Sequence, residues 1–148
     1  MGSRRKGRIL AFQALYSWNV HHKEGEKPAI NDDLLEFSWA KTENGKGPPL
    51  KEDVLTFSRL LVTGTIENIK KIDNSIKKHL ENWDIKRLNK VDLAVLRISA
   101  YALIFQPEMH TSIIIDEAVE ISKDYGTGDS WRFVNGVLDA MAKTVRAK

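Results

Sequence analysis

Hydrophobic residues recur at three- and four-residue steps along most of the chain, which is the spacing of one face of an α-helix. The longest series runs from Val54 to Leu80, and Gly64 inside it marks a bend or a close approach between helices. Similar series occupy residues 89–105 and 130–141. No segment has the strict alternation of a half-buried strand. The pattern therefore predicts an all-α protein, a compact bundle of about six or seven helices.

Residues that typically begin or end helices separate these hydrophobic series into individual helices. Asn89 can cap a helix that Pro107 stops, Gly126 can end the next helix, and Asp129 or Ser130 can cap the last one. The segment KTENGKGPP has two glycines and two prolines in nine residues, which predicts a loop within one domain. With 148 residues, the whole chain, 1–148, is expected to form a single domain.

The first segment predicts a helix over residues 4–22 in which basic and apolar side chains share one stripe. At about 100° per residue, Arg4 and Arg8 continue the stripe that Phe12 and Tyr16 form further along. The apolar half would pack into the core while the basic turn projects past its edge. Such a helix would present its charges in a defined geometry, unlike a solvated tail.

The net charge of +3 conceals an uneven distribution. The ends before Glu24 and after Asp139 hold 8 of the 23 basic residues, including Lys143, Arg146 and Lys148, and none of the 20 acidic residues. The stretch between them has 15 basic and 20 acidic residues, a net charge of −5. Basic ends on an acidic body are typical of a localised patch for a polyanion, or of two unrelated solvated tails.

The remaining composition favours a binding protein over an enzyme. The chain has no cysteine and no apolar stretch of about 18–20 residues, which fits a cytoplasmic compartment. Phosphate-binding glycine loops, nucleophile elbows and metal-ligand histidine spacings are absent, so no cofactor, metal or catalytic residue is expected. Asp116, Glu117 and Glu120 share one helix, as acids on helix surfaces commonly do.

The segment YGTGDSWRFVNGVLD carries the most specific candidate chemistry. The first turn of a helix there offers unpaired N–H groups to phosphate. Arg132 lies between Trp131 and Phe133, a plausible platform for unstacked bases. Phe133 could equally be a core residue, whereas Trp131 precedes the apolar face and should be partly exposed. Asp129 suits helix capping better than RNA attraction.

Four ordered segments resemble the NusB family of bacterial transcription antitermination factors. They are RRKGRILAFQALYSW, VDLAVLRISAYAL, IIIDEAVEISKDYG and DSWRFVNGVLDAMA, and together they cover nearly all of the chain except the loop around residues 44–49. The resemblance implies two packed helical subdomains, no enzymatic activity, and binding of boxA RNA together with a small-subunit ribosomal protein that acts as NusE. The pair would join RNA polymerase and other Nus factors to suppress premature termination in ribosomal RNA operons. It also implies a possible homodimer.

The resemblance assigns roles to individual residues. Tyr16 and Asp92 lie in segments that would face the ribosomal protein. The residues expected to contact RNA lie at the two ends of one surface and are Arg4, Arg5, Arg8, Tyr125, Asp129, Trp131, Arg132 and Phe133.

Two alternatives stay open. A NusB-like domain precedes certain ribosomal RNA cytosine methyltransferases, which would require a truncated chain here, since no methyltransferase domain follows. A helical protein–protein scaffold without RNA binding is the alternative from another class.

Overall fold

The protein is all-α, as its hydrophobic pattern predicts. The computed structural model describes residues 2–23, 25–40, 50–81 and 84–146, so the loop predicted around residues 41–49 lies outside the described residues. The described residues form short 3-10 turns, no strand, and six α-helices: α1 (Ser3–His21), α2 (Glu52–Glu67), α3 (Ile69–Lys78), α4 (Lys90–Phe105), α5 (Thr111–Tyr125) and α6 (Ser130–Val145). None of these described helices is long and apolar enough to cross a lipid bilayer.

Helix α4 is the centre of the molecule. Eleven of its sixteen residues are buried, because apolar or small residues of α4 lie on all sides of the helix. It packs against α1, α2 and α3 on the N-terminal side of the fold and against α5 and α6 on the C-terminal side. Helix α4 thus joins the N-terminal helices α1–α3 to the C-terminal helices α5 and α6, in keeping with the two packed helical subdomains expected from the resemblance.

The borders of α4 and α5 follow the predicted signals. The Asn89 side chain accepts a hydrogen bond of 2.8 Å from the backbone N–H of Asp92, and α4 ends two residues before Pro107. Helix α5 ends immediately before Gly126, where a Cβ would lie 2.7 Å from the Ser130 Cβ. A glycine is required there because the chain turns back closely against the start of α6.

The long apolar series breaks at Asn68 rather than at Gly64. The Asn68 side chain donates a 2.8 Å hydrogen bond to the Gly64 carbonyl, and α3 begins at the next residue. Gly64 instead marks the other predicted feature, a close helix approach. A Cβ at Gly64 would lie 2.4 Å from the ring of Tyr101 on α4, so only glycine allows α2 to pack this closely.

Arg146, in the basic C-terminal end, is bound to the rest of the fold. Its guanidinium donates hydrogen bonds to backbone carbonyls at the end of α4, including Leu103 at 3.1 Å and Gln106 at 2.9 Å. Lys143, one turn earlier, is exposed and pairs with Asp139 at 3.1 Å. Of the two alternatives left open for the basic ends, the solvated tail does not describe Arg146, whose guanidinium is bound to the end of α4.

Candidate functional site

Side chains link helices α1 and α5, which run in the same direction. The Arg5 guanidinium forms a two-pronged ion pair with Glu117 on α5, with N–O distances of 3.0 and 3.1 Å. Eight residues further along both helices, the Gln13 amide lies 3.5 Å from the Tyr125 hydroxyl. Eight helical residues span about 12 Å. The seam between the two helices therefore connects the basic start of α1 with the end of α5.

Two of the three arginines of the basic wall, which consists of Arg4, Arg5 and Arg8, pack on an aromatic ring. The guanidinium carbons of Arg4 and Arg8 lie 4.5 and 5.6 Å from the centre of the Phe57 ring on α2. Such cation–π contacts orient a guanidinium while leaving donors for an anion. Burial lowers the pKa of Arg8 more than the nearby Glu117 carboxylate raises it. This cluster of positive charge is anchored to the core.

Close packing behind the basic wall explains why α1 starts so near α2. Ser58 on α2 donates a 3.0 Å hydrogen bond to the Gly7 carbonyl, and a Cβ at Gly7 would lie 2.6 Å from the Phe57 ring. The first two turns of α1 therefore rest directly on α2. The observed helix, Ser3–His21, also matches the helix predicted over residues 4–22.

Acidic residues of α5 border the basic wall, which sequence analysis did not anticipate. The Glu117 side chain is only 15% exposed, while that of Arg5 is 48% exposed. The hydrogen bonds and charge of Glu117 raise the pKa of Arg5, and the charges of Glu120 and Asp124 raise it further. An incoming anion would therefore compete with carboxylates at Arg5. The partners are 112 positions apart, so no local sequence signal reveals the pair.

The second wall comprises Tyr125, Asp129, Trp131, Arg132 and Phe133. The exposed Tyr125 ring packs against Phe12 of α1 with a centroid separation of 5.1 Å. Trp131 is partly exposed, as predicted, and its ring is approached by Lys123 at 5.1 Å and by Arg132 at 5.2 Å. These contacts hold two positive charges beside an exposed aromatic surface.

Asp129 begins the second wall without the capping bond that its position suggests. It occupies the N-cap position of α6, yet its side chain makes no capping hydrogen bond. The adjacent Ser130 side chain instead accepts a 3.1 Å hydrogen bond from the Thr127 backbone and so closes the turn before α6. Asp129 is exposed, and its carboxylate adds negative charge to the rim of the wall.

Phe133 is partly buried, so neither of its two expected roles describes it completely. It packs against the core, yet it lines a small open cavity of about 270 Å³ together with Asp129 and Asp92. The other residues expected on the inner face of α6, such as Val134 and Leu138, are fully buried. The Phe133 side chain therefore borders both the core and this cavity.

The two residues expected to face a protein partner differ in exposure. Tyr16 is exposed on α1, whereas Asp92, in the first turn of α4, is only 7% exposed. One Asp92 oxygen accepts a 3.1 Å hydrogen bond from Asn89, and the other has no partner among the described residues. Asp92 thus lies beside the second wall, and its second oxygen is buried without a hydrogen-bond donor among the described residues.

The arrangement suits a polyanion with unstacked bases. Guanidinium groups at one end can bind phosphates, and partly exposed rings at the other can stack on bases. Within the described residues, no group of three or more acidic or histidine side chains is placed to hold a metal ion.

Comparisons with known proteins agree on one family. The model of the NusB family matches residues 5–143. The transcription antitermination protein NusB of Treponema denticola is 49% identical over 93% of this chain and 94% of its own length.

Solved structures share the fold. The structure of T. maritima NusB superimposes with a TM-score of 0.76 at 35% identity, covering 95% of this chain and 90% of that one. A solved complex of antitermination factors NusB and NusE with double-stranded RNA contains a chain with a TM-score of 0.76 and 30% identity. That alignment covers 97% of this chain and 98% of the other.

Proposed function

Because the chain belongs to the NusB family, we propose that it is a transcription antitermination factor that binds boxA RNA together with the ribosomal protein acting as NusE. Its effect is to suppress premature termination in ribosomal RNA operons. The observation that carries this proposal is the seam of α1 and α5, which joins a basic wall to an aromatic wall on one surface. A solved relative in complex with NusE and double-stranded RNA supports the same function.

The two walls have different tasks in this proposal. The arginines of the basic wall bind phosphates and position the RNA without selecting its sequence. The rings of the second wall, Tyr125, Trp131 and Phe133, stack on splayed bases, and Arg132 adds charge beside them. The Asp129 carboxylate at the rim opposes phosphate and so penalises RNA that approaches in another orientation.

The proposal assigns Tyr16 and Asp92 to the binding of the ribosomal protein. Exposed Tyr16 offers a ring to the ribosomal protein, and the negative charge of Asp92 at the small cavity attracts a basic group of that protein. The pair then joins RNA polymerase and other Nus factors in the cytoplasm. In this function the chain acts as one RNA-binding domain, residues 1–148, by binding alone and without catalysis.

Fluorescence anisotropy tests the proposal directly. A short boxA-like RNA and a scrambled RNA are titrated with the protein, each with and without the small ribosomal protein, at two salt concentrations. We expect selective binding of the boxA-like RNA that tightens when the partner is added. Equal, salt-sensitive binding of both RNAs that ignores the partner would contradict the proposed function.

Glu117→Gln is expected to strengthen RNA binding about threefold to tenfold at low salt. The change removes a carboxylate that competes with phosphate for Arg5 and keeps the shape of the side chain. One newly available cation should steepen the slope of log affinity against log salt by about 0.7. Anisotropy titrations at several salt concentrations measure both quantities.

Glu120→Gln is the matched control for this prediction. It removes the same charge one turn further along α5, where Glu120 acts on Arg5 only at a distance. We expect a smaller gain in affinity from it. Weaker RNA binding by the Glu117 variant would instead mean that Glu117 holds Arg5 in its binding orientation.

A further inference from the structure

A large cleft lies next to the second wall, on the other side of the segment that leads into α4. It encloses about 910 Å³ between the end of α1, the turn at residues 25–28, α3 and residues 85–90. None of the residues that we assign to boxA RNA or to the ribosomal protein lines it. The cleft therefore has no role in the function proposed above.

Lysines dominate the rim of this cleft. Lys27, Lys70, Lys77, Lys86 and Lys90 line it, and all five are exposed. Apart from Asp73, whose charge Arg97 neutralises, Glu26 is the only acidic residue among the described lining residues. The surrounding stretch, residues 24–139, has a net charge of −5. So many lysines in one concavity of an acidic body make a local site for an anion.

The floor of the cleft is rigid and offers a hydrogen-bond donor. Arg97 binds Asp73 through two hydrogen bonds of 2.9 and 2.8 Å and also donates to the Asn19 side-chain oxygen. Asn19 lines the cleft and is only 3% exposed, yet its side-chain N–H group has no acceptor among the described residues. A buried donor of this kind favours a ligand that brings an acceptor oxygen.

The cleft and the small cavity lined by Phe133 lie on either side of the segment of residues 87–90. Leu88 lines both the cleft and the small cavity that holds Phe133. Arg87 faces the small cavity, while Lys86 and Lys90 face the cleft. An RNA strand stacked on Phe133 would reach the lysines by crossing this short segment, where Arg87, Lys86 and Lys90 are exposed.

We propose that the lysine cleft binds the phosphates of RNA that extends beyond the segment held between the two walls. The inference rests on the proposed function and adds the cleft to the surface that contacts RNA. Lys70 and Lys77 are two helical turns apart on α3, about 10 Å, so they contact different phosphates. Lysine ammonium groups act on phosphate as point charges, so this contact is independent of base sequence.

Paired lysine variants on α3 test the inference. Lys70→Gln with Lys77→Gln removes two charges from the cleft. Lys71→Gln with Lys78→Gln removes two exposed charges from the same helix outside the cleft lining. Anisotropy compares a core boxA-like RNA with the same RNA lengthened by several nucleotides at its 5′ or 3′ end, at several salt concentrations.

We expect the wild-type protein to bind one lengthened RNA about tenfold tighter than the core RNA. The Lys70/Lys77 variant should lose this gain, bind the core RNA normally, and show a salt slope shallower by about 1.4 on the lengthened RNA. The Lys71/Lys78 variant should keep the gain. The inference is overturned if length brings no gain, or if both variants reduce the gain equally.

Two further outcomes separate the inference from its alternatives. The cleft could take a small phosphorylated ligand, which shares the same chemistry. Thermal stabilisation of the wild type, but not of the Lys70/Lys77 variant, by inorganic phosphate or a nucleoside monophosphate, with no gain from RNA length, would overturn the RNA assignment. Failure of the wild type to bind the core RNA would contradict the proposed function itself, whereas core binding without a length effect contradicts only the inference.

Discussion

Replacing Arg146 by alanine is expected to lower the free energy of unfolding by about 3 kcal/mol, mainly because the end of α4 loses several charge-assisted hydrogen bonds at once. The last carbonyls of a helix have no partner within it, and the negative end of the helix dipole attracts a cation. The acceptors of the Arg146 guanidinium are the backbone oxygens of Ala102, Leu103, Gln106 and Met109 and the Thr111 hydroxyl. Urea unfolding followed by circular dichroism measures the loss.

Two further variants separate this role from charge alone. Lys143→Ala removes an exposed basic residue one turn earlier and should change the free energy of unfolding by less than about 0.5 kcal/mol. Arg146→Lys keeps the charge but should recover only part of the stability, because one ammonium cannot span acceptors on two sides. An Arg146→Ala protein as stable as the wild type would contradict this role.

Replacing Phe133 by leucine is expected to weaken binding of boxA-like RNA about thirtyfold, which corresponds to about 2 kcal/mol. Leucine retains most of the packing of this partly buried side chain against the core but removes the aromatic face that can stack on a base. The free energy of unfolding should fall by less than about 1.5 kcal/mol. Anisotropy and urea unfolding on the same preparation measure the two effects.

Phe105→Leu is the matched control for Phe133. Phe105 is also a partly buried phenylalanine, but it lies at the end of α4, where it stacks on Tyr101. We expect it to lose similar stability and to bind RNA normally. Equal RNA affinity of the Phe133 variant and the wild type would mean that Phe133 serves packing alone.

Local signals predicted most of the helices and several of their ends. The Asn89 cap, the stop before Pro107 and the turn at Gly126 depend on atoms within about four residues, so their physics is visible in a short window. The break at Asn68 was missed, because a side chain that bonds a carbonyl one turn earlier is a common and weak signal.

The residues of the candidate site could be predicted from the sequence, but their contacts with each other and with neighbouring helices could not. The sequence identified basic residues at the start of α1 and an aromatic cluster at the start of α6, and the resemblance joined them as one RNA surface. It did not reveal that Glu117 neutralises Arg5 or that Phe133 borders a cavity with Asp92. These facts depend on which helix faces lie against each other, which short-range periodicity leaves undetermined.

By itself, then, the sequence determined the all-α class, the order of helices and the family, because all three follow from spacing and identity along the chain. Only the tertiary structure decided how the charges are used. Arg146 serves helix α4, Arg5 pairs with an acid 112 positions away, and lysines from separate segments line one cleft. A charged side chain acts on whatever lies within a few ångströms, and folding alone determines those neighbours.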